Sequence, residues 1–163
     1  MLNLIKKLFF KYTMDLNDIL FGPERDRVTR ASESTYDLTQ LQQQGLQITV
    51  NTSSNKARWV GDTNNRIYPQ IIVWRPDFPG SDTGRAVIVE AIETSGTLGV
   101  PHIERWRILS TIVGVHFNLI VPQGSSDRVR TLLRQNNIIT GVNLQTYTYD
   151  SNTDRYNFIR THI

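Results

Sequence analysis

Apolar residues in the middle of this chain gather in short runs dense in β-formers. Tyr68 to Trp74 is one such run and Ala86 to Ile92 is another. Pro76, Pro79, Gly80, Ser81, Asp82 and Gly84 lie between them and supply several turn signals. The pattern predicts a hairpin, with strands 67–74 and 86–93 adjacent and antiparallel at the heart of a sheet. Upstream, Leu46 to Asn51 alternates as a strand, Thr52 to Asn55 turns it, and Ala57 to Val60 is predicted as its returning partner. Downstream, Val100-Pro101 opens a helix whose apolar stripe is Ile103, Trp106, Leu109, Ile112 and Val113, with Gly114 as its stop. Val115 to Val121 reads as a strong strand. A helix from about Ser126 turns Val129, Leu132 and Leu133 inward. Val142 to Tyr149 is a further strand, and Tyr156 to Ile159 is predicted as an edge strand. Strands interleaved with helices in this order predict an α/β fold: a single domain with a mixed central sheet flanked by helices.

Two segments precede that domain or open it. In Met1 to Gly22, Leu4, Ile5, Leu8 and Phe9 fall at helical spacing, with Lys6, Lys7 and Lys11 largely elsewhere on the wheel. The lysines interrupt the apolar run and no small-residue cleavage site follows, which argues against a signal peptide. An amphipathic helix here suits a membrane surface, a protein partner, packing on its own domain, or a homodimer contact through Met1–Lys11. Residues 1–22 are therefore set apart from a domain spanning 23–163. Asp15 to Phe21 reads as a second short helix. Pro23-Glu24 reads as another helix opening, with an acid in its first turn.

Composition narrows the classes. The chain has 163 residues, of which 39% are hydrophobic and 20% charged, with a formal net charge of +3. That length supports one domain with a sizeable core. No stretch is long and apolar enough to span a membrane. Cysteine is absent, which removes disulfides and thiolate chemistry and fits a cytoplasmic setting. Arginine far outnumbers lysine, and arginine favours bidentate contacts with phosphate. Arg128, Arg130 and Arg134 fall outside the apolar stripe of the last helix and form a candidate face for DNA or RNA. No P-loop, nucleophile elbow or dinucleotide glycine fingerprint is present. His102 and His116 lack metal-ligand spacing and His162 lies near a terminus, so zinc is not expected.

Glu90 lies among Val87, Ile88, Val89, Ala91 and Ile92, and burying a lone carboxylate there is costly. An arginine or a metal should answer it. The central hairpin resembles the PD-(D/E)XK nuclease superfamily, which has a restriction-endonuclease-like fold. The similarity is to a subgroup with Tyr-Pro-Asp-Ile in the first strand and Glu-Val-Glu-Thr in the second, then a helix bearing Trp and a strand ending in Val-Pro. This chain has Tyr68-Pro69-Gln70-Ile71, Ala91-Ile92-Glu93-Thr94, Trp106 and Leu119-Ile120-Val121-Pro122, so the resemblance spans about 67–136. It implies a divalent metal, Mg²⁺, held by Gln70, Glu90 and Glu93, the same residues acting in phosphodiester hydrolysis.

The departures from the pattern are specific. Gln70 stands where the subgroup has Asp, Ala91 stands where it has the first acid, and Glu90 is displaced by one residue. In a regular strand one residue reverses the face, so only a bulge between Glu90 and Glu93 would let both acids meet one ion. Asp77 and Asp82 in the hairpin loop are candidates to stand in for the missing Asp, although Asp in such loops ordinarily serves turn geometry. Tyr68, Trp74 and Trp106 suit core packing better than base stacking. The expected function is a nuclease-like nucleic-acid-binding protein with a degenerate metal site that is weak or inactive. Two alternatives stay open: an active Mg²⁺-dependent DNA or RNA nuclease using Glu90 and Glu93, and an interaction module acting through the N-terminal segment.

Overall fold

The computed structural model describes residues 16–160. The proposed amphipathic segment Met1–Lys11 and His162 lie outside the described residues. Helices α1 (Leu16–Phe21), α2 (Glu24–Thr35) and α3 (Leu38–Gln43) lead into β1 (Gln47–Val50), β2 (Ile71–Pro76) and β3 (Gly84–Ile92). Helix α4 (Val100–Ser110), β4 (His116–Pro122), α5 (Ser126–Gln135), β5 (Asn143–Asp150) and β6 (Arg155–Ile159) complete the order. The six strands form one mixed sheet in the order β1-β2-β3-β4-β5-β6. Pairing is antiparallel from β1 to β3, parallel from β3 to β5, and antiparallel again at β6. The parallel pairs are those joined through α4 and α5, because a parallel return needs a crossover longer than a turn. The α/β class, the mixed sheet and the antiparallel central hairpin are as the sequence predicts.

Strand alternation divides the core into two layers. Ile72, Trp74, Val89, Ala91, Phe117, Leu119 and Val121 pack with Ile103, Trp106 and Leu109 of α4 and Val129 and Leu133 of α5. Ile71, Ile92, Ile120 and Tyr147 point the other way and pack with Val28 and Ala31 of α2. Residues two apart share a layer and neighbours do not, as the pleat requires.

Four local expectations are corrected. The first hairpin strand begins at Ile71, not Ile67, since Pro69 has no N–H to give a ladder. Ala57 to Val60 does not return on β1, whose partner is β2; Val60 makes only an isolated antiparallel bridge with Ile67. The physical reason is buried Asn51. Its amide donates to the Arg58 and Pro69 carbonyls at 2.8 and 2.7 Å and accepts from the Ala57 and Arg58 N–H groups at 2.8 and 3.0 Å, taking the place of a strand ladder. Helix α4 stops at Ser110, four residues before Gly114, and Val113 is 96% exposed instead of joining the stripe. Gly114, at φ +75°, serves the turn that follows.

Candidate functional site

The hairpin brings Gln70 and Glu93 to the same end of the sheet, and the residues around them line a cleft of about 560 Å³. Lys56, Tyr68, His102 and Arg105 belong to its walls, as do Asn51 and Glu24. Glu93 immediately follows β3 and is 1% exposed. Its parity matches Val89 and Ala91, so its side chain reaches α4. There Oε1 accepts from Arg105 Nη2 at 2.7 Å and from the Trp106 indole N–H at 2.9 Å. Oε2 accepts from the Thr97 hydroxyl at 2.6 Å and lies 2.8 Å from His102 Nδ1. Burial pushes the Glu93 carboxyl up, but His102, Arg105 and Thr97 together outweigh it and hold the group down to about 2. Its backbone is tied as well, with the N–H on Ile120 O at 2.9 Å and the carbonyl on the Tyr147 hydroxyl at 3.0 Å. Glu93 is a rigid anion with its acceptor positions occupied.

Gln70 has a different occupation. Its side-chain amide accepts from the Ile92 N–H and donates to the Ile92 carbonyl, both at 3.3 Å. The regular ladder reaches only Ile71 opposite Glu90, and the Gln70 side chain extends it by imitating one more peptide unit. An Asp could not do this, because a carboxylate has no donor for the Ile92 carbonyl.

Glu90 does not join them. It is fully buried and points to the α2 layer, where Oε1 receives Tyr36 Oη at 2.8 Å, Asn118 Nδ2 at 2.9 Å and Arg160 Nη1 at 2.7 Å. Arg160 also donates to Gln145 Oε1 at 3.2 Å and to the Ala31 carbonyl at 2.8 Å, while Asn143 donates to Asn118 at 3.1 Å. Burial, and then the negative charge of Glu90, push the Tyr36 phenol well up. The partner demanded by a buried glutamate is thus an arginine 70 residues away in sequence. The bulge that would turn Glu90 towards Glu93 is absent: β3 pairs with β4 without a break through Glu90↔Asn118, Ala91↔Leu119 and Ile92↔Ile120, and the one irregularity of the hairpin falls at Val73/Trp74.

The remaining candidates scatter. Asp77 accepts from Thr83 at 2.8 Å in the hairpin loop, at the opposite end of β2 and β3 from Gln70 and Glu93, and Asp82 is exposed in that same loop. Neither can stand in for an acid at position 70. Ala91, where the resemblance calls for an acid, does share the Glu93 face but is fully packed. Arg128, Arg130 and Arg134 are exposed, as expected from Val129 and Leu133 being buried. Trp74 and Trp106 are core residues, whereas Tyr68 is half-buried on the cleft wall.

Sequence reasoning missed the α4 side of the site. The sequence reading weighs His102 only against zinc and Trp106 only as a core residue of the resemblance, yet with Arg105 they form most of the shell around Glu93. A usable signal was present. An acid at a strand's C-terminal end, followed by basic residues at i and i+3 in the first turns of the next helix, places opposite charges on facing surfaces.

Among the described residues, no three His, Cys, Asp or Glu side chains converge in a way that would hold a metal ion. The donor set implied for Mg²⁺ does not fit that ion: one carboxylate is saturated, the amide is spent on the ladder, and the second carboxylate is across the sheet. The fold and cleft define an α/β protein with a mixed sheet and a polar, arginine- and histidine-lined recess at the ends of its central strands. No family model matches the sequence, and no curated protein matches it. Among solved structures, an XisH family protein from Nostoc punctiforme is similar at 13% identity and a TM-score of 0.36, covering 83% of this chain and 98% of that one. A likeness that shallow carries no argument about function. No helix among the described residues is long and apolar enough to cross a membrane.

Proposed function

We propose that this protein binds nucleic acid on a nuclease-like, restriction-endonuclease-like scaffold and does not itself cleave it by metal-dependent hydrolysis. The observation that carries the reading is the state of Glu93. The carboxylate nearest Gln70 in the sheet, Glu93, is held by an arginine, an indole and a hydroxyl, with a histidine against it, while Glu24 and Asp18 line the same cleft from the helices before β1. A metal there would have to displace those contacts and would find no second carboxylate from Glu90. The groups left facing solvent around the recess include Lys56 and His102, and α5 adds the exposed Arg128, Arg130 and Arg134. Cations without a catalytic carboxylate pair suit holding a phosphate backbone.

The test is fluorescence anisotropy with labelled DNA and RNA, single- and double-stranded, over a salt series. Parallel incubations with Mg²⁺ or Mn²⁺ would be followed on gels beside Glu93→Gln and Glu90→Gln. Binding that weakens linearly with log salt, with no strand scission, is the expected result. Absence of binding at low salt would defeat the reading, and so would metal-dependent cleavage that disappears in either variant.

A further inference from the structure

Beyond the cleft, the surface between the 60s turn and α4 continues as a groove of about 480 Å³. Lys56, Tyr68 and Arg105 line both recesses, so the two form one continuous track. The outer part adds Arg66, Asn64 and Asn65. Its only acid is Glu104, which is already paired with Arg107. In this outer part Arg105 is paired with Glu93 and Glu104 with Arg107, which leaves Lys56 and Arg66 as its excess positive charge, while the inner recess carries Glu24 and Asp18 as well as Glu93. One aromatic ring lies among the cations, with Lys56 Nζ 5.5 Å from the Tyr68 ring centroid; the Arg66 guanidinium sits 4.9 Å from the ring of Trp59, which lines a different recess. Both rings are half-buried, unlike Trp74 and Trp106, which belong to the core.

From this the geometry points to a single-stranded nucleic acid as the ligand of the groove, with a base stacked on Tyr68 and phosphates held by Lys56, Arg66 and Arg105. The inference rests on the nucleic-acid-binding reading above and assigns the site and strandedness within it. A stacking platform flanked by cations is what an unpaired strand needs, because its bases expose their faces and its backbone is flexible. A duplex hides those faces from a ring on the protein surface. The exposed Asn64 and Asn65 line the same groove as Tyr68; Asn65 Nδ2 donates to Asp62 at 3.4 Å, and the Asn64 amide can pair with a base edge. Arg105 binds Glu93 through Nη2, and that contact fixes the guanidinium between the two recesses. The turn carrying Asn64 and Asn65 is itself held in shape, since Asp62 accepts both their backbone N–H groups at 2.8 Å.

The experiment is anisotropy of the full chain with a labelled oligothymidylate and with a blunt duplex of equal length, using Tyr68→Ala, Tyr68→Phe and Lys56→Gln/Arg66→Gln. Thermal melts would establish that each variant is folded. Tyr68→Ala should weaken oligothymidylate binding about tenfold, while Tyr68→Phe keeps it, because stacking needs the ring and not the hydroxyl. The double variant should lower the slope of log affinity against log salt by about 1.4, which is two single-strand phosphates. Equal or tighter binding of the duplex would overturn the inference, as would wild-type affinity in folded Tyr68→Ala. Displacement of the oligonucleotide by polyglutamate of equal charge would make this an acidic-peptide site and also overturn it. If the unaltered chain binds no nucleic acid at all, the broader reading falls. If it binds but ignores the groove substitutions, only the groove assignment falls.

Discussion

Glu90 and Glu93 are three residues apart and almost equally hidden, yet the sheet gives them opposite surroundings. Glu90 is sealed in the α2 layer, and its partners Tyr36, Asn118 and Arg160 come from three distant parts of the chain. Glu93 lies at the rim, and its partners Thr97, His102, Arg105 and Trp106 all follow within 13 residues. The first carboxylate closes the fold by tying the end of β6 to β3 and α2. The second sets the electrostatics of an open recess. A resemblance read along the strand treats them as one site, whereas strand parity makes them two devices with different work.

The largest effect should come from breaking the sealed pair. Glu90→Ala leaves Arg160 charged in a nearly closed pocket, where its side chain is 12% exposed, and should cost ~3–5 kcal/mol in urea unfolding. Replacing both, as in Glu90→Met/Arg160→Met, should recover much of that loss, since no orphan charge remains. A double variant as unstable as Glu90→Ala would mean the pair contributes more than mutual neutralisation.

At the rim, acid should reveal the difference. Glu93 is lowered from 4.5 to about 2 in the folded protein, so between those values the unfolded chain binds more protons. Stability from this group is fully present above about pH 4.5 and is lost as pH falls through about 2. The displacement corresponds to ~3 kcal/mol. Urea titrations between pH 5 and 2 should show a steep wild-type decline and a shallower one in Glu93→Gln. Parallel curves would mean Glu93 is not held as its four neighbours imply.

A smaller change sharpens the comparison at Gln70. Gln70→Asp removes the donor to Ile92 O and sets a carboxylate near that carbonyl, for a loss of ~1–3 kcal/mol. Adding Ala91→Glu, the other residue the resemblance calls for, would place a second acid in the fully packed α4 layer. Rebuilding the nuclease pattern should therefore destabilise the chain, and a stable, metal-activated double variant would contradict this account of both positions. The smallest effect belongs to the last helix. Charge reversal of Arg128 and Arg130 should shift stability by less than ~0.5 kcal/mol. It should also reduce nucleic-acid affinity less than substitutions in the Lys56–Arg66 groove, a ranking that anisotropy tests directly.

Much of the architecture was written in the order of residues. β-Formers at Ile71–Trp74 and Ala86–Ile92 with Pro and Gly between them demanded a hairpin, and the stripes at Ile103, Trp106 and Leu109 and at Val129 and Leu133 demanded helices with one buried face. The buried charge at Glu90 announced that it needed a partner. Those features are local, or follow from a period of two or 3.6. Tertiary structure alone decided that the partner was Arg160, because a charge pair across 70 positions leaves no periodic trace. It decided that Asn51 would replace a strand pairing and Gln70 would extend one, since side chains that imitate peptide groups do not register as β-pattern. It also decided which carboxylate borders the cleft: an unbroken register from Glu90↔Asn118 to Ile92↔Ile120 fixes one face for Glu90 and the other for Glu93.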